Sequence, residues 1–123
     1  MRARLHHVQL AIPEGGEDAA RRFWAETLGM EEIAKPPVLA ERGGCWFRSG
    51  TFELHLGIEE GFAPARKAHP GIMVDDLDAI VARLADAGVE ATPDDNFPGH
   101  RRIYVHDPFG NRLEFLQPTD VRA

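Results

Sequence analysis

Three histidines and one glutamate stand at matching places in the two halves of this 123-residue chain. His69 in the second half matches His7 in the first, and Glu114 matches His55. Imidazole nitrogens and carboxylate oxygens bind borderline first-row divalent ions such as Zn, Ni, Co, Mn or Fe(II). The repeated placement of these residue types therefore predicts one divalent metal centre to which both halves contribute. A bound ion of this kind can polarise a carbonyl, stabilise an enediolate or acidify a water molecule.

The repeat depends on glycines as well as on the four candidate ligands. The spacing from Gly29 to His55 equals the spacing from Gly88 to Glu114. His55 and Glu114 are slightly closer in sequence than the two leading histidines, because the first half has a longer loop at 13–16. Internal repeats of this kind mark a duplicated structural unit. We therefore predict a single domain over residues 1–123, built from one module at 1–60 and another at 66–120.

Alternating apolar residues predict the strands that carry the four residues. His7 opens a segment in which Val8, Leu10 and Ile12 form one apolar face, and segment 51–58 alternates in the same way. All four candidate ligands fall on the face opposite the apolar stripe. Apolar residues at helical spacing predict one helix before Gly29 and another before Gly88, with further strands at 31–34, 44–48, 89–92 and 101–106. The predicted order is β-α-β-β-β, twice.

Two of the four assignments have named competitors in the sequence. Glu53 shares a strand face with His55 and could take its place as a ligand. A carboxylate at Glu114 is expensive to desolvate unless it is paired or metal-bound, and Arg112 or Arg102 could be its partner instead of a metal. In addition, Arg48, Arg102 and Tyr104 could line a cavity for an anionic group or could be surface charges.

Composition excludes several classes of function. A net charge of −6 argues against a nucleic-acid partner, because phosphate recognition needs clustered Lys and Arg. The longest apolar runs are far shorter than the roughly 20 residues that span a bilayer, so we expect no membrane partner. The single cysteine, Cys45, rules out an internal disulfide and fits the reducing cytoplasm. We expect it to be a buried, inert thiol.

Four segments resemble the glyoxalase/bleomycin resistance/dioxygenase superfamily, also called vicinal oxygen chelate. They are Leu5–Ile12, Arg21–Gly29, Val74–Asp78 and Asp107–Glu114. The resemblance covers nearly the whole chain and implies an α+β fold, in which paired βαβββ modules form a U-shaped mixed sheet around a cleft. It also implies a homodimer. By position, the metal ligands of such proteins correspond here to His7, His55, His69 and Glu114.

The resemblance implies two classes of function. One is a metal-dependent lyase or isomerase acting on a small molecule whose oxygens chelate the ion, with Glu114 as the catalytic residue that moves a proton. Glyoxalase I members often have Glu at the position of His55, and an extradiol dioxygenase or a thiol transferase is a further variant of this class. The alternative is a metal-free protein of the bleomycin-resistance type, which sequesters a small-molecule drug.

Overall fold

The structure is a computed structural model and describes residues 1–119. The chain divides into two compact units, the first from Met1 to Pro64 and the second from Ala65 onward. Each unit contains one four-stranded mixed sheet and few helices. This α+β architecture confirms the fold class, with the predicted β-α-β-β-β order in the second unit and the same order interrupted by one short extra helix in the first. Within the described residues, no helix combines the length and apolar character needed to cross a membrane.

In the first unit, the strand that begins at His7 pairs with the strand that carries His55. The elements are β1 (His7–Ile12), α1 (Glu17–Arg21) with a π-helical continuation (Arg22–Thr27), β2 (Glu31–Ile33), α2 (Pro37–Ala40), β3 (Cys45–Ser49) and β4 (Phe52–Ile58). The strand order is β1-β4-β3-β2, with β1 parallel to β4 and the other pairs antiparallel. The parallel pair places the start of β1 beside the start of β4.

The second unit repeats this topology. Its elements are β5 (Gly71–Met73), α3 (Leu77–Asp86), β6 (Thr92–Asp94), β7 (His100–His106) and β8 (Arg112–Pro118), and the strand order is β5-β8-β7-β6. Strand β5 is parallel to β8, as β1 is to β4. His69 lies just before β5. The hydrogen bonding between this segment and β8 begins at the next residue, because the N–H of Glu114 donates to the carbonyl of Pro70 at 3.1 Å.

The two helices before the matched glycines form, and the glycines end them. Gly29 has φ +83° and Gly88 has φ +73°, the left-handed conformation that glycine adopts without a Cβ penalty. Helix α3 begins after Asp76, whose side chain accepts a hydrogen bond from the N–H of Ala79 at 3.1 Å. The first helix differs from a regular α-helix, because it widens to π geometry from Arg22.

Two segments differ from the sequence prediction. Residues 37–40, for which the sequence predicts neither a helix nor a strand, form the short helix α2, which Pro37 can enter because the first helical positions need no N–H partner. Strand β6 starts at Thr92 rather than at residue 89, and it includes Pro93. Proline is tolerated there because β6 is an edge strand that pairs only with β7.

Apolar side chains at the predicted positions are buried in each unit, and β4 and β8 also bury His55 and Glu114 on their other face. In the first unit Phe23, Trp24, Phe47, Leu54 and Leu56 are buried, and in the second Leu84, Ile103, Val105, Leu113 and Phe115 are buried.

A turn before β8 fixes the start of that strand. Asp107 accepts hydrogen bonds from the N–H groups of Phe109 and Asn111 at 2.9 and 2.8 Å, and the Asn111 amide accepts from the N–H of Ala65. The turn therefore sets where Glu114 enters the sheet.

Candidate metal centre

Strand register establishes which residues of the two units are equivalent. Gln9 lies opposite His55 in the β1–β4 pair, and Gly71 lies opposite Glu114 in the β5–β8 pair. Counting two positions back from Gln9 and from Gly71 reaches His7 and His69. His55 is therefore the counterpart of Glu114, and Glu53 is instead the counterpart of Arg112.

In the second unit, the two predicted ligands are already in contact. The Nε2 atom of His69 lies 2.9 Å from Oε1 of Glu114. The other ring nitrogen of His69, Nδ1, lies 2.9 Å from the carbonyl oxygen of Lys67. Glu114 is only 6% exposed. Both ring nitrogens thus face acceptors, an arrangement that suits either an imidazolium or a neutral imidazole whose Nε2 lone pair binds a cation.

Arg102 is the further partner of Glu114. Its NH1 group donates to Oε2 of Glu114 at 3.2 Å, and its guanidinium also bonds the carboxylate of Asp94 at 2.9 Å. The guanidinium lies over the ring of Tyr104 at 5.1 Å. The pKa of Asp94 is lowered, first by the hydrogen bond from the backbone N–H of Asn96 and then by the bond from Arg102. Of the two arginines considered from the sequence, Arg102 therefore pairs with Glu114.

In the first unit, the two predicted ligands stack instead of pointing at one another. The rings of His7 and His55 lie 4.0 Å apart with an interplanar angle of 16°. The indole of Trp46 stacks on His55 at 3.7 Å, parallel to it. His55 is thus held between two rings and is 4% exposed, whereas His7 is exposed. Stacked rings direct their nitrogen lone pairs along parallel planes, so His7 has to rotate before both rings can bind one ion.

Glu53 serves His55 as a hydrogen-bond partner. Its Oε1 lies 3.0 Å from Nε2 of His55, and this bond is the main reason that the pKa of Glu53 is lowered. Nδ1 of His7 lies 2.9 Å from Nδ1 of His6. The pKa of His7 is lowered, first by desolvation and then by the neighbouring His55 and His6 rings. A lowered pKa keeps the imidazole neutral, which is the form that binds metal ions.

The donor atoms of the second unit fit a divalent ion. Two ligands bound at about 2.1 Å and at a right angle lie about 3 Å apart, close to the observed separation of His69 Nε2 and Glu114 Oε1. The bond from His69 Nδ1 to a backbone carbonyl is the usual outer support of a metal-binding histidine. Across residues 1–119, however, no three or more His, Cys, Asp or Glu side chains are grouped so that they could hold a metal ion. The structure thus places the four predicted ligands as two pairs, one in each unit.

The sequence prediction missed the aromatic residue beside each pair. Trp46 lies opposite His55 in the β3–β4 pair, and Tyr104 lies opposite Glu114 in the β7–β8 pair, so the two are counterparts. Tyr104 meets the ring of His69 edge to face at 5.5 Å. The signal was present in the sequence, because Trp46 and Tyr104 are separated by nearly the same interval as His55 and Glu114. The sequence alone indicates only a possible cavity role for Tyr104 and does not single out Trp46.

Solved structures similar to this chain share its fold over nearly their whole length. A protein from Bacillus anthracis, described as of the glyoxalase family, is 47% identical with a TM-score of 0.91, covering 97% of this chain and 100% of that one. The antibiotic binding protein TnmS3 from Streptomyces sp. CB03234 is 24% identical with a TM-score of 0.75, covering 96% and 98%. A lactoylglutathione lyase from Agrobacterium tumefaciens is 21% identical with a TM-score of 0.72, covering 94% of each chain.

The last two likenesses, at their low identity, show the fold alone, and they join a lyase and a binding protein in one architecture. None of the curated proteins compared with this chain matches it. The model of the Glyoxalase/Bleomycin resistance protein/Dioxygenase superfamily matches residues 4–115, which is nearly all of the sequence. The chain therefore belongs to the glyoxalase/bleomycin resistance protein/dioxygenase superfamily.

Proposed function

We propose that this protein is a metal-dependent enzyme of the lyase or isomerase type, acting on a small molecule whose oxygens chelate the ion. The observation that carries the proposal is the separation of 2.9 Å between His69 Nε2 and Glu114 Oε1, with the histidine supported from behind by Lys67. A buried carboxylate and an imidazole at this spacing make a chelating pair for a first-row divalent ion.

His7, His55, His69 and Glu114 would hold the ion, which is one of Zn, Ni, Co, Mn or Fe(II). When bound, it supplies a Lewis acid that draws electron density from a substrate carbonyl. The register that makes His55 the counterpart of Glu114 favours His55 over Glu53 in this set. Glu53 instead orients His55 through the bond between its Oε1 and Nε2 of the ring.

Glu114 is the catalytic residue of the proposal, because its carboxylate can accept and return a substrate proton. Arg102 holds Oε2 of Glu114 by a hydrogen bond, so Oε1, once transiently released from the ion, would be the oxygen that moves the proton. Burial of Glu114 excludes water from the carboxylate, which makes proton transfer depend on the substrate in place. The rings of Trp46 and Tyr104 shield the histidines of their own units in the same way.

The first experiment measures metal content in untagged protein prepared without a chelator, beside a His7→Ala/Glu114→Ala double variant. We expect near one equivalent of a divalent metal per four-ligand set in the parent and none in the variant. A Glu59→Ala/Glu60→Ala variant, changed at two exposed acidic positions, is the control and should bind metal like the parent. Absence of metal from the parent, even after reconstitution, would contradict the proposal.

Activity is tested on two substrate groups that offer paired oxygens, adducts of α-oxo-aldehydes with thiols and catechols. Turnover of the first group identifies the lyase or isomerase, and turnover of a catechol with oxygen identifies the dioxygenase variant. Full activity in the His7→Ala/Glu114→Ala variant would rule out the assigned residues.

Light scattering tests the homodimer that we propose as the working form, with a mass of twice 13.7 kDa expected.

A second candidate function is metal-free binding of a small molecule. It is favoured by the first unit, where the rings of His7, His55 and Trp46 are stacked as an aromatic surface and do not converge on a point. Aromatic surfaces bind flat organic molecules through their faces. Metal-free protein that protects cells from a drug would favour this function over the enzyme.

A further inference from the structure

A cavity of about 270 Å³ lies beside β4, the strand that carries His55. Gln9 and Trp46, both opposite His55 in the register, line it together with Leu56, Gly57 and Ile58 of β4. The rest of its wall comes from residues around α2, at Lys35, Leu39, Arg42 and Gly43. All of these residues lie between positions 9 and 58. The cavity is therefore formed within the first unit alone.

Gly57 makes room for the Gln9 side chain in the wall of this cavity. Gly57 lies two positions after His55, and Leu116 holds the matching place after Glu114 in the second unit. A Cβ at Gly57 would come within 2.8 Å of the amide nitrogen of Gln9, so the Gln9 side chain lies over the glycine. In the second unit Gly71 stands at the place of Gln9 and Leu116 at the place of Gly57, and Leu116 is buried.

Hydrogen-bond donors dominate the polar part of the cavity wall. The ammonium of Lys35 is half-buried and donates to the carbonyl of Gly43, which fixes it at the wall. Arg42 adds a second positive charge, and Gln9 adds an amide. The neighbouring carboxylate of Glu17 is already used, because its Oε2 accepts from the N–H of Gly44 at 2.9 Å. Two cations and an amide favour an oxyanion, to which charge-assisted hydrogen bonds are the stronger kind.

The apolar part of the wall joins the cavity to the predicted metal ligands. Leu39 and Leu56 supply aliphatic surface, and Trp46 lines the cavity while its ring is stacked on His55 at 3.7 Å. The cavity therefore reaches the indole that covers His55, while His55 itself is buried under that ring.

We propose that this cavity binds the anionic end of the substrate, a carboxylate or a phosphate on a short apolar stem. The proposal deepens the proposed function and rests on it, because it takes the bound molecule to be the substrate of that enzyme. Anion binding itself needs no metal. Lys35 and Arg42 would be the residues that determine specificity, by pairing with the anionic oxygens, and Trp46 would position the stem.

The test is a titration of the ¹⁵N-labelled full chain by NMR, in the presence of a metal chelator. The probes are propionate, inorganic phosphate and the uncharged propionamide. We expect saturable shifts of the Trp46 indole N–H and of the Gly43 and Gly57 amides with at least one anion, and none with propionamide. Propionate alone would identify a carboxylate as the anionic group, and phosphate alone a phosphoryl group.

Charge variants separate a built site from general attraction. Lys35→Gln/Arg42→Gln should weaken anion binding about tenfold or more, a change of about 1.4 kcal/mol. The control Arg22→Gln/Arg66→Gln removes two exposed positive charges elsewhere and should leave binding unchanged. The single Arg42→Gln variant changes only an exposed position, so it keeps the test valid if the Lys35 change disturbs folding.

Failure of this inference is distinguishable from failure of the proposed function. No saturable shift with either anion, equal shifts with propionamide, or equal weakening in the control variant would overturn the anion cavity while leaving the metal measurement untouched. Anion binding in a protein that takes up no metal would uphold the cavity and remove the enzyme.

Discussion

In the second unit the buried carboxylate of Glu114 lies within hydrogen-bonding distance of a ring nitrogen of His69. In the first unit the counterpart of Glu114, His55, is instead stacked between two rings. Glu114 contacts His69 and Arg102 through hydrogen bonds, so its unit holds a carboxylate and an imidazole at metal-ligand spacing. His55 contacts His7 and Trp46 through ring faces. One strand topology thus carries two kinds of recognition surface.

The difference continues along the sheets. Extending the β3–β4 register by one pair beyond Cys45 and Leu56 places Gly44 where the second unit has Arg102. The second unit fills that position with a guanidinium that bonds Glu114, while the first leaves it without a side chain. At these positions the second unit therefore carries hydrogen-bonded charged side chains, and the first carries stacked rings and a glycine.

The largest loss of stability is expected from Gly44→Ala. Gly44 has φ +80°, and a Cβ there would overlap the carbonyl oxygen of Leu56 in the middle of β4. Because backbone strain and a backbone clash combine, unfolding should become easier by at least about 3 kcal/mol in a denaturant titration. Gly57→Ala, whose Cβ would meet only the flexible end of Gln9, is the control and should cost under about 1 kcal/mol. Equal losses would show that the first unit does not need a glycine where the second has Arg102.

The second largest effect is expected from Glu114→Gln, which should lower metal affinity far more than the matched change in the first unit. The amide keeps the shape of the side chain but removes the charge that pairs with a divalent ion, so we expect affinity to fall more than about 100-fold. The matched change Glu53→Gln touches only the bond that orients His55 and should cost about tenfold or less. Equilibrium dialysis against zinc measures both. Equal effects would mean that Glu53 is itself a ligand.

The smallest effect is a dependence of stability on alkaline pH that arises at Cys45. Burial raises the pKa of this thiol from 9.0 to about 11 in the folded chain. A raised pKa means that stability is fully present below the unfolded value of 9.0 and is lost as pH rises towards 11, by on the order of 2 kcal/mol.

Ile103 occupies the matching position in the second unit and cannot titrate. Cys45→Val should therefore remove this part of the alkaline loss, and the difference between the two proteins cancels the titration of other groups. The same burial predicts that a thiol reagent at pH 8 reacts with Cys45 only after unfolding. An identical pH profile for parent and variant, or rapid reaction of the native thiol, would contradict the assignment.

Much of the fold was predictable because it follows from local patterns. Alternating apolar residues favour a strand at β1 and at β4. Apolar residues at helical spacing favour a helix that ends at Gly29 or Gly88, where glycine adopts positive φ. Strand β6 and helix α2 were not predictable in the same way. Pro93 argues against a strand until β6 is known to lie at a sheet edge, and residues 37–40 show too short a pattern for a helix.

The four candidate ligands were identified from the sequence itself, since a duplicated unit keeps the spacing of its residues, although Glu53 stayed open as an alternative to His55. The contacts of those residues were decided only by the tertiary structure. Strand register makes His55, rather than Glu53, the counterpart of Glu114. The hydrogen bond from Arg102 makes that arginine, rather than Arg112, the partner of Glu114. Side-chain direction across paired strands depends on which residues lie opposite one another, and that information is absent from the order of residues along one strand.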